Sequence, residues 1–124
     1  MKILIDSDVV IEVLRAKDQS LLVKWSVLVA TEDDILFSPV TAARIWPRVL
    51  PKEHPVISRF FRALTCASID YQVGHLAGEL FRQYNKSHGV AISDALMAAT
   101  AIQNQAALWT CNRNHYPMAE LTLY

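Results

Sequence analysis

Glycine is scarce in this 124-residue chain, occurring only at positions 74, 78 and 89. Backbone cradles for nucleotide phosphates need closely spaced glycines, so a phosphate-binding loop is excluded. Cysteine is scarcer still, with Cys66 and Cys111 alone. Two isolated thiols make no disulfide framework and point to a reducing compartment, the cytoplasm. Neither belongs to a Cys-x-x-Cys pair, and His54, His75, His88 and His115 lack zinc-ligand spacing, so no structural zinc is expected. Long apolar runs are missing too. The longest are short, such as Val27 to Ala30, so no membrane span is expected. There is no excess of charge, with 12 basic and 12 acidic residues. That argues against non-specific nucleic-acid binding through a basic surface. Repeats, linkers and low-complexity tracts are also absent.

What is present is apolar. Hydrophobic residues make up 52% of the chain and charged residues 19%, enough to bury a core and to exclude disorder. One domain over residues 1–124 is expected. The opening Met-Lys-Ile-Leu-Ile-Asp reads as a first strand and not as a signal peptide. Charge is uneven locally. Between Arg44 and Arg62 lie Arg44, Arg48, Lys52, Arg59 and Arg62 against the single acid Glu53. A solvated helix face explains that run as well as a binding face does.

Lys2 to Ile5 is a buried strand ending at Asp6. Val9, Val10, Val13 and Leu14 recur at helical spacing, with Asp6, Ser7 or Asp8 as the cap. A second helix covers Ser20 to Thr31, Asp33 and Asp34 punctuate it, and Ile35 to Phe37 is a second strand. Ser38-Pro39 opens a helix through Trp46, which Pro47 kinks or ends. Pro51 and Pro55 predict a loop, followed by a helix from Val56 to Leu64 and a strand from Cys66 to Ile69. Tyr71 to Lys86 is a long helix with Val73, Leu76, Ala77, Leu80, Phe81 and Tyr84 on one face. Ser93 caps a smooth, alanine-rich helix from Asp94 to about Gln103. Ala107 to Thr110 is a fourth strand, and Leu121 to Tyr124 an edge strand. Alternating strands and helices predict an α/β fold: a mostly parallel sheet of four to five short strands with helices on both faces.

In such sheets the functional cleft lies at the carboxyl ends of the strands. Asp6 follows the first strand, Asp94 opens a helix, and Asn112 follows the fourth strand. Oxygen ligands converging there suit a hard cation such as Mg²⁺ or Mn²⁺. Carboxylates that converge without a cation repel each other. Each residue also has a plain structural explanation. Asp6 or Asp8 caps a helix, Asp94 complements a helix dipole, and Asn112 shapes a turn. A receiver-like phosphotransfer domain also carries acids at strand ends. It needs a lysine after a late strand, where this chain has Thr110-Cys111-Asn112.

Four segments together resemble the PIN-domain family, and within it the VapC ribonuclease toxins. Residues 3–15 (Ile-Leu-Ile-Asp-Ser-Asp-Val-Val-Ile-Glu-Val-Leu-Arg) resemble the opening motif. Residues 38–46 (Ser-Pro-Val-Thr-Ala-Ala-Arg-Ile-Trp) resemble the second. Residues 88–101, with Ile-Ser-Asp-Ala at their centre, resemble the third. Residues 108–118, from Leu-Trp-Thr-Cys-Asn, resemble the closing one. The motifs occur in order and cover nearly the whole chain. The resemblance implies a three-layer PIN-like fold and a Mg²⁺- or Mn²⁺-dependent endoribonuclease. It also implies a toxin neutralised by a cognate antitoxin, and a homodimer. Asp6 and Asp94 match family acids and would hold the metal. Asn112 lies where the family has an asparagine or an acid, and would orient a water or a phosphate oxygen. Thr110 and Asp8 match secondary positions. Arg48, Lys52 and Arg113 are candidates to hold an RNA backbone.

Arg44 departs from the family pattern, which has glutamate there. A guanidinium has five donors, no lone pair and a permanent charge, so it cannot ligate a cation. Pointed into the cleft, it would pair with Asp6 or Asp94 and disfavour a dication. The chain is then a deliberately inactivated variant, or a naturally decayed member that keeps a binding role. A third account has another acid, Glu79 or Glu53, replace the missing one. The first two are favoured. A catalytically silent module that binds antitoxin or RNA is the alternative to an active toxin.

Overall fold

A computed structural model describes residues 1–31 and 34–124. Asp33, expected to punctuate the second helix, lies outside the described residues. Strands β1 (Lys2–Ile5), β2 (Asp34–Phe37), β3 (Thr65–Cys66) and β4 (Ala106–Trp109) form one parallel sheet in the order β3-β2-β1-β4. The expected edge strand at 121–124 is reduced to one bridge. Leu108 pairs with Leu123, through Leu108 N to the Thr122 carbonyl (2.9 Å) and Tyr124 N to the Leu108 carbonyl (2.8 Å).

Six helices flank the sheet: α1 (Ser7–Arg15), α2 (Gln19–Ala30), α3 (Pro39–Ile45), α4 (His54–Arg62), α5 (Tyr71–His88) and α6 (Ile92–Gln103). Successive strand residues face opposite sides, and this alternation sorts the core into two layers. Leu4, Leu36 and Leu108 pack with α5 and α6 through Val73, Ala77, Leu80 and Met97. Ile3, Ile5, Phe37, Ala107 and Trp109 pack with α1, α2 and α4 through Val9, Val10, Leu28, Ile57 and Phe61. Trp25 and Trp46 join that second layer. The run Ala95, Ala98, Ala99 and Ala101 is wholly buried, and its small side chains let α6 pack closely on α5 and the sheet.

Two sequence expectations fail at proline and serine. Pro55 stands in the first turn of α4 and not in a loop. A helix's first turn has no internal use for that N–H, so proline is tolerated there. Residues 51–53 form a short 3-10 turn in which Glu53 Oε1 accepts from Leu50 N (2.9 Å). Helix α6 begins at Ile92, two residues earlier than a Ser93 cap allows. Asp94 reaches back to accept from Ala91 N (3.2 Å) and takes the capping role itself. Gly89 ends α5 at φ 66, a left-handed conformation that glycine adopts without steric penalty.

Candidate active site

The carboxyl ends of β1 and β4 adjoin the N-termini of α1 and α6, and acids gather there. Asp6 ends β1 and caps α1, and only 4% of it is exposed. Its Oδ1 accepts from Ser7 N (2.7 Å) and Ser7 Oγ (3.4 Å). Its Oδ2 accepts from Thr110 Oγ1 (3.0 Å) and Tyr116 OH (2.8 Å). Asp8 lies two residues on, in the first turn of α1. Its Oδ2 accepts from Thr110 Oγ1 (3.2 Å), Cys111 N (3.2 Å) and Asn112 Nδ2 (3.0 Å). Thr110 has one hydroxyl proton, so it serves Asp6 or Asp8 at any moment, while its oxygen accepts from Asn112 N (3.0 Å).

Asp8 Oδ1 is buried and has no hydrogen-bond partner. Burial, and next the charge of Asp6, raise the Asp8 pKa above its ordinary value, against the pull of the hydrogen bonds from Cys111, Val9 and Thr110. Asp94, 8% exposed, faces His115 with Oδ1 to Nδ1 at 3.8 Å. Tyr116 links the group. Burial first, then the Asp6 carboxylate, raise its pKa well beyond the ordinary phenol value, and Asp94 and Asp8 add to the effect. The phenol therefore stays protonated as a donor to Asp6. The Cys111 thiol is pushed up to about 11, by burial first and then by Asp8.

Arg44 reaches this cleft from α3 but does not pair with an acid. Its Nη1 donates to Ser7 Oγ (3.1 Å) and its Nη2 to Ser93 Oγ (2.6 Å). Ser7 follows Asp6 and Ser93 precedes Asp94, so the guanidinium bridges the residues beside the acids. The expected ion pair with Asp6 or Asp94 is absent among the described residues. The arginine side chain is exposed, and two well-aimed hydroxyls fix it more strongly than attraction through solvent does.

Of the residues expected at the site, Asp6, Asp8, Thr110 and Asn112 form one hydrogen-bonded group, with Asp94 nearby. Asp8 joins the group through hydrogen bonds from Thr110, Cys111 and Asn112. Arg48, Lys52 and Arg113 make no hydrogen bond or ion pair with these acids. Arg113 Nη1 donates to the Tyr124 carbonyl (3.3 Å). Arg48 borders a groove with Ile11, Leu14, Arg15 and Ile57. Glu53 is spent on its own turn, and Glu79 pairs with His75 (3.4 Å) on α5. Neither replaces the acid missing at 44. Ser7, Ser93, His115 and Tyr116 are site residues that sequence reasoning missed.

The donor set does not fit a divalent ion. Among the described residues no group of three or more His, Cys, Asp or Glu could hold a metal. Arg44, which stands where the family has a glutamate, offers no lone pair to a cation.

This parallel sheet with its flanking helices has known counterparts. The sequence pattern of the PIN domain matches residues 3–121, and the chain belongs to the PIN-domain family. Among curated relatives, "Ribonuclease VapC19" of Mycobacterium tuberculosis is 30% identical over 116 residues, covering 93% of this chain and 92% of that protein. "Ribonuclease VapC10" of the same organism is 30% identical over 123 residues, covering 95% and 88%. The fold also matches a chain from the crystal structure of VapBC2 from Rickettsia felis bound to a promoter DNA fragment. There the TM-score is 0.81 at 20% identity, over 100% of this chain and 98% of that one. A chain of FitAcB from Neisseria gonorrhoeae matches with a TM-score of 0.74 at 22% identity, over 98% and 96%.

Proposed function

We propose that this chain is a VapC-type ribonuclease toxin whose metal-dependent cleavage is silenced at Arg44, and which keeps its capacity to bind RNA and an antitoxin. Its curated relatives are ribonucleases, and structures with this fold include VapBC assemblies. Those relations support RNA as substrate and a cognate antitoxin as partner. A homodimer and a cytoplasmic site of action belong to the same reading. No described helix is long and apolar enough to cross a membrane.

The observation that carries the silencing is the seat of Arg44 on Ser7 and Ser93. Phosphodiester hydrolysis needs an activated water and neutralisation of the charge that develops on phosphorus oxygens. A divalent ion such as Mg²⁺ or Mn²⁺ supplies both. A guanidinium can do the second and not the first. Asp6, held by Ser7, Thr110 and Tyr116, and Asp94, held by Ala91 N, remain in place as two of the acids such an ion would need. Asn112 is tied to Asp8 and is left as a contact for an RNA phosphate. Arg48, Lys52 and Arg113 are proposed to follow the RNA backbone outside the cleft.

The test is cleavage of structured RNA in Mg²⁺ or Mn²⁺ by this chain and by Arg44→Glu, each with an Asp94→Asn control. The expected result is cutting by the glutamate form alone, abolished by Asp94→Asn. Metal-dependent cutting by the arginine form would defeat the silencing.

A further inference from the structure

We propose that Arg44 is the built-in cation of the cleft and holds an RNA backbone phosphate directly, so that this chain binds RNA without a divalent ion. The inference rests on the ribonuclease-toxin reading and extends it to how the ligand is held. Arg44 uses two of its five N–H donors on Ser7 and Ser93. It is exposed, and it makes no ion pair with a carboxylate among the described residues. Three donors are therefore free, on a side chain whose position two hydroxyls fix. A planar, permanently charged fork held in this way suits the oxygens of a phosphodiester.

Charge balance favours the same conclusion. A glutamate carrying one divalent ion and a lone arginine have the same net charge, +1. Position 44 thus contributes, without metal, the positive charge that a glutamate carrying one divalent ion would contribute. Neutral donors stabilise the carboxylates' own negative charge, Tyr116, Thr110 and Ser7 on Asp6, and Asn112 and Cys111 N on Asp8, which leaves the Arg44 charge unpaired. The bridge also ties α3 to the N-termini of α1 and α6, so the donors are positioned before any ligand arrives.

The test is fluorescence anisotropy of a short labelled single-stranded RNA of mixed sequence, in EDTA and in Mn²⁺. The whole chain is compared with Arg44→Gln and Arg44→Glu. The native chain is expected to bind equally in both buffers. Arg44→Gln is expected to lose about tenfold to a hundredfold in affinity in both, the loss from removing one charge-assisted contact. The slope of log affinity against log salt should fall by about one phosphate's worth. Arg44→Glu is expected not to bind in EDTA.

Native binding that needs Mn²⁺, or Arg44→Gln binding as tightly as the native chain in EDTA, would overturn the proposal and leave the RNA-binding reading standing. No binding by any form in either buffer would overturn the RNA reading, and this proposal with it. Should Arg44→Gln fail to fold, inorganic phosphate titrated into the native chain in EDTA decides the matter. Amide NMR shifts at Ser7 and Ser93 support the site, and their absence overturns it.

Discussion

Replacing Tyr116 with phenylalanine removes one oxygen and little else. Tyr116 is 4% exposed, as is Asp6, and its hydroxyl donates to Asp6 Oδ2 at 2.8 Å. A hydrogen bond to a charged group contributes about 1.5–3 kcal/mol, and a buried acceptor stripped of its donor keeps the full desolvation penalty. Oδ2 would then depend on Thr110, whose single proton Asp8 also claims. For a domain of this length, each kcal/mol moves the melting temperature by about 4 °C. Tyr116→Phe should therefore lower Tm by about 6–12 °C. Thermal unfolding followed by circular dichroism reads this directly. In an Asp6→Asn background the same substitution should cost much less, because the charged acceptor is gone. A fall of under about 2 °C in the native background, or an equal fall in both backgrounds, would refute the reasoning.

Asp8 gives a pH dependence. Its folded pKa lies above the ordinary 3.8, so the folded state binds the proton more tightly than the unfolded state. Asp8 ionisation therefore opposes folding at neutral pH, and the penalty disappears as pH falls through the folded value toward 3.8. The stability of the native chain relative to Asp8→Asn should rise as the medium is acidified. Urea unfolding at several pH values checks this, and a constant difference contradicts it. Ala16 closes α1 with φ 55, a conformation that costs a side-chain-bearing residue about 1–2 kcal/mol. Ala16→Gly should raise Tm by a few degrees despite the entropy glycine adds to the unfolded chain; a lower Tm counts against that assignment of strain.

Much of the fold was legible because its signals are local. The run Ile3-Leu4-Ile5, the Ser38-Pro39 start and the apolar face of α5 each follow from a few neighbouring residues. One topological rule, that parallel sheets open their clefts at strand ends, drew attention to Asp6, Asp94 and Asn112, whereas Asp8 and Thr110 entered through the family resemblance. The missed residues depend on contacts distant in sequence. Tyr116 meets Asp6 across 110 positions, and nothing around Tyr116 announces it. Ser93 looks like a cap by composition, but Asp94 captures Ala91 N first, which frees the serine hydroxyl for Arg44. The partner of Arg44 was misjudged because charge alone was weighed. The guanidinium takes the hydroxyls beside the acids and leaves the acids to neutral donors. Strand β3 shrank to Thr65–Cys66 because edge pairing ends where β2 ends, a limit set by the neighbouring strand.

The central proposal is that Arg44, seated on Ser7 and Ser93 where the family has a glutamate, leaves the cleft without a divalent ion. The most direct measurement is the melting temperature of the native chain and of Arg44→Glu, each titrated with MnCl₂. An ion at ten times its dissociation constant stabilises the folded form by about 1.4 kcal/mol. At about 4 °C per kcal/mol, that is a rise of about 6 °C. That rise is predicted for Arg44→Glu and no saturable rise for the native chain. A saturable rise in the native chain, lost in Asp6→Asn or Asp94→Asn, would contradict the account.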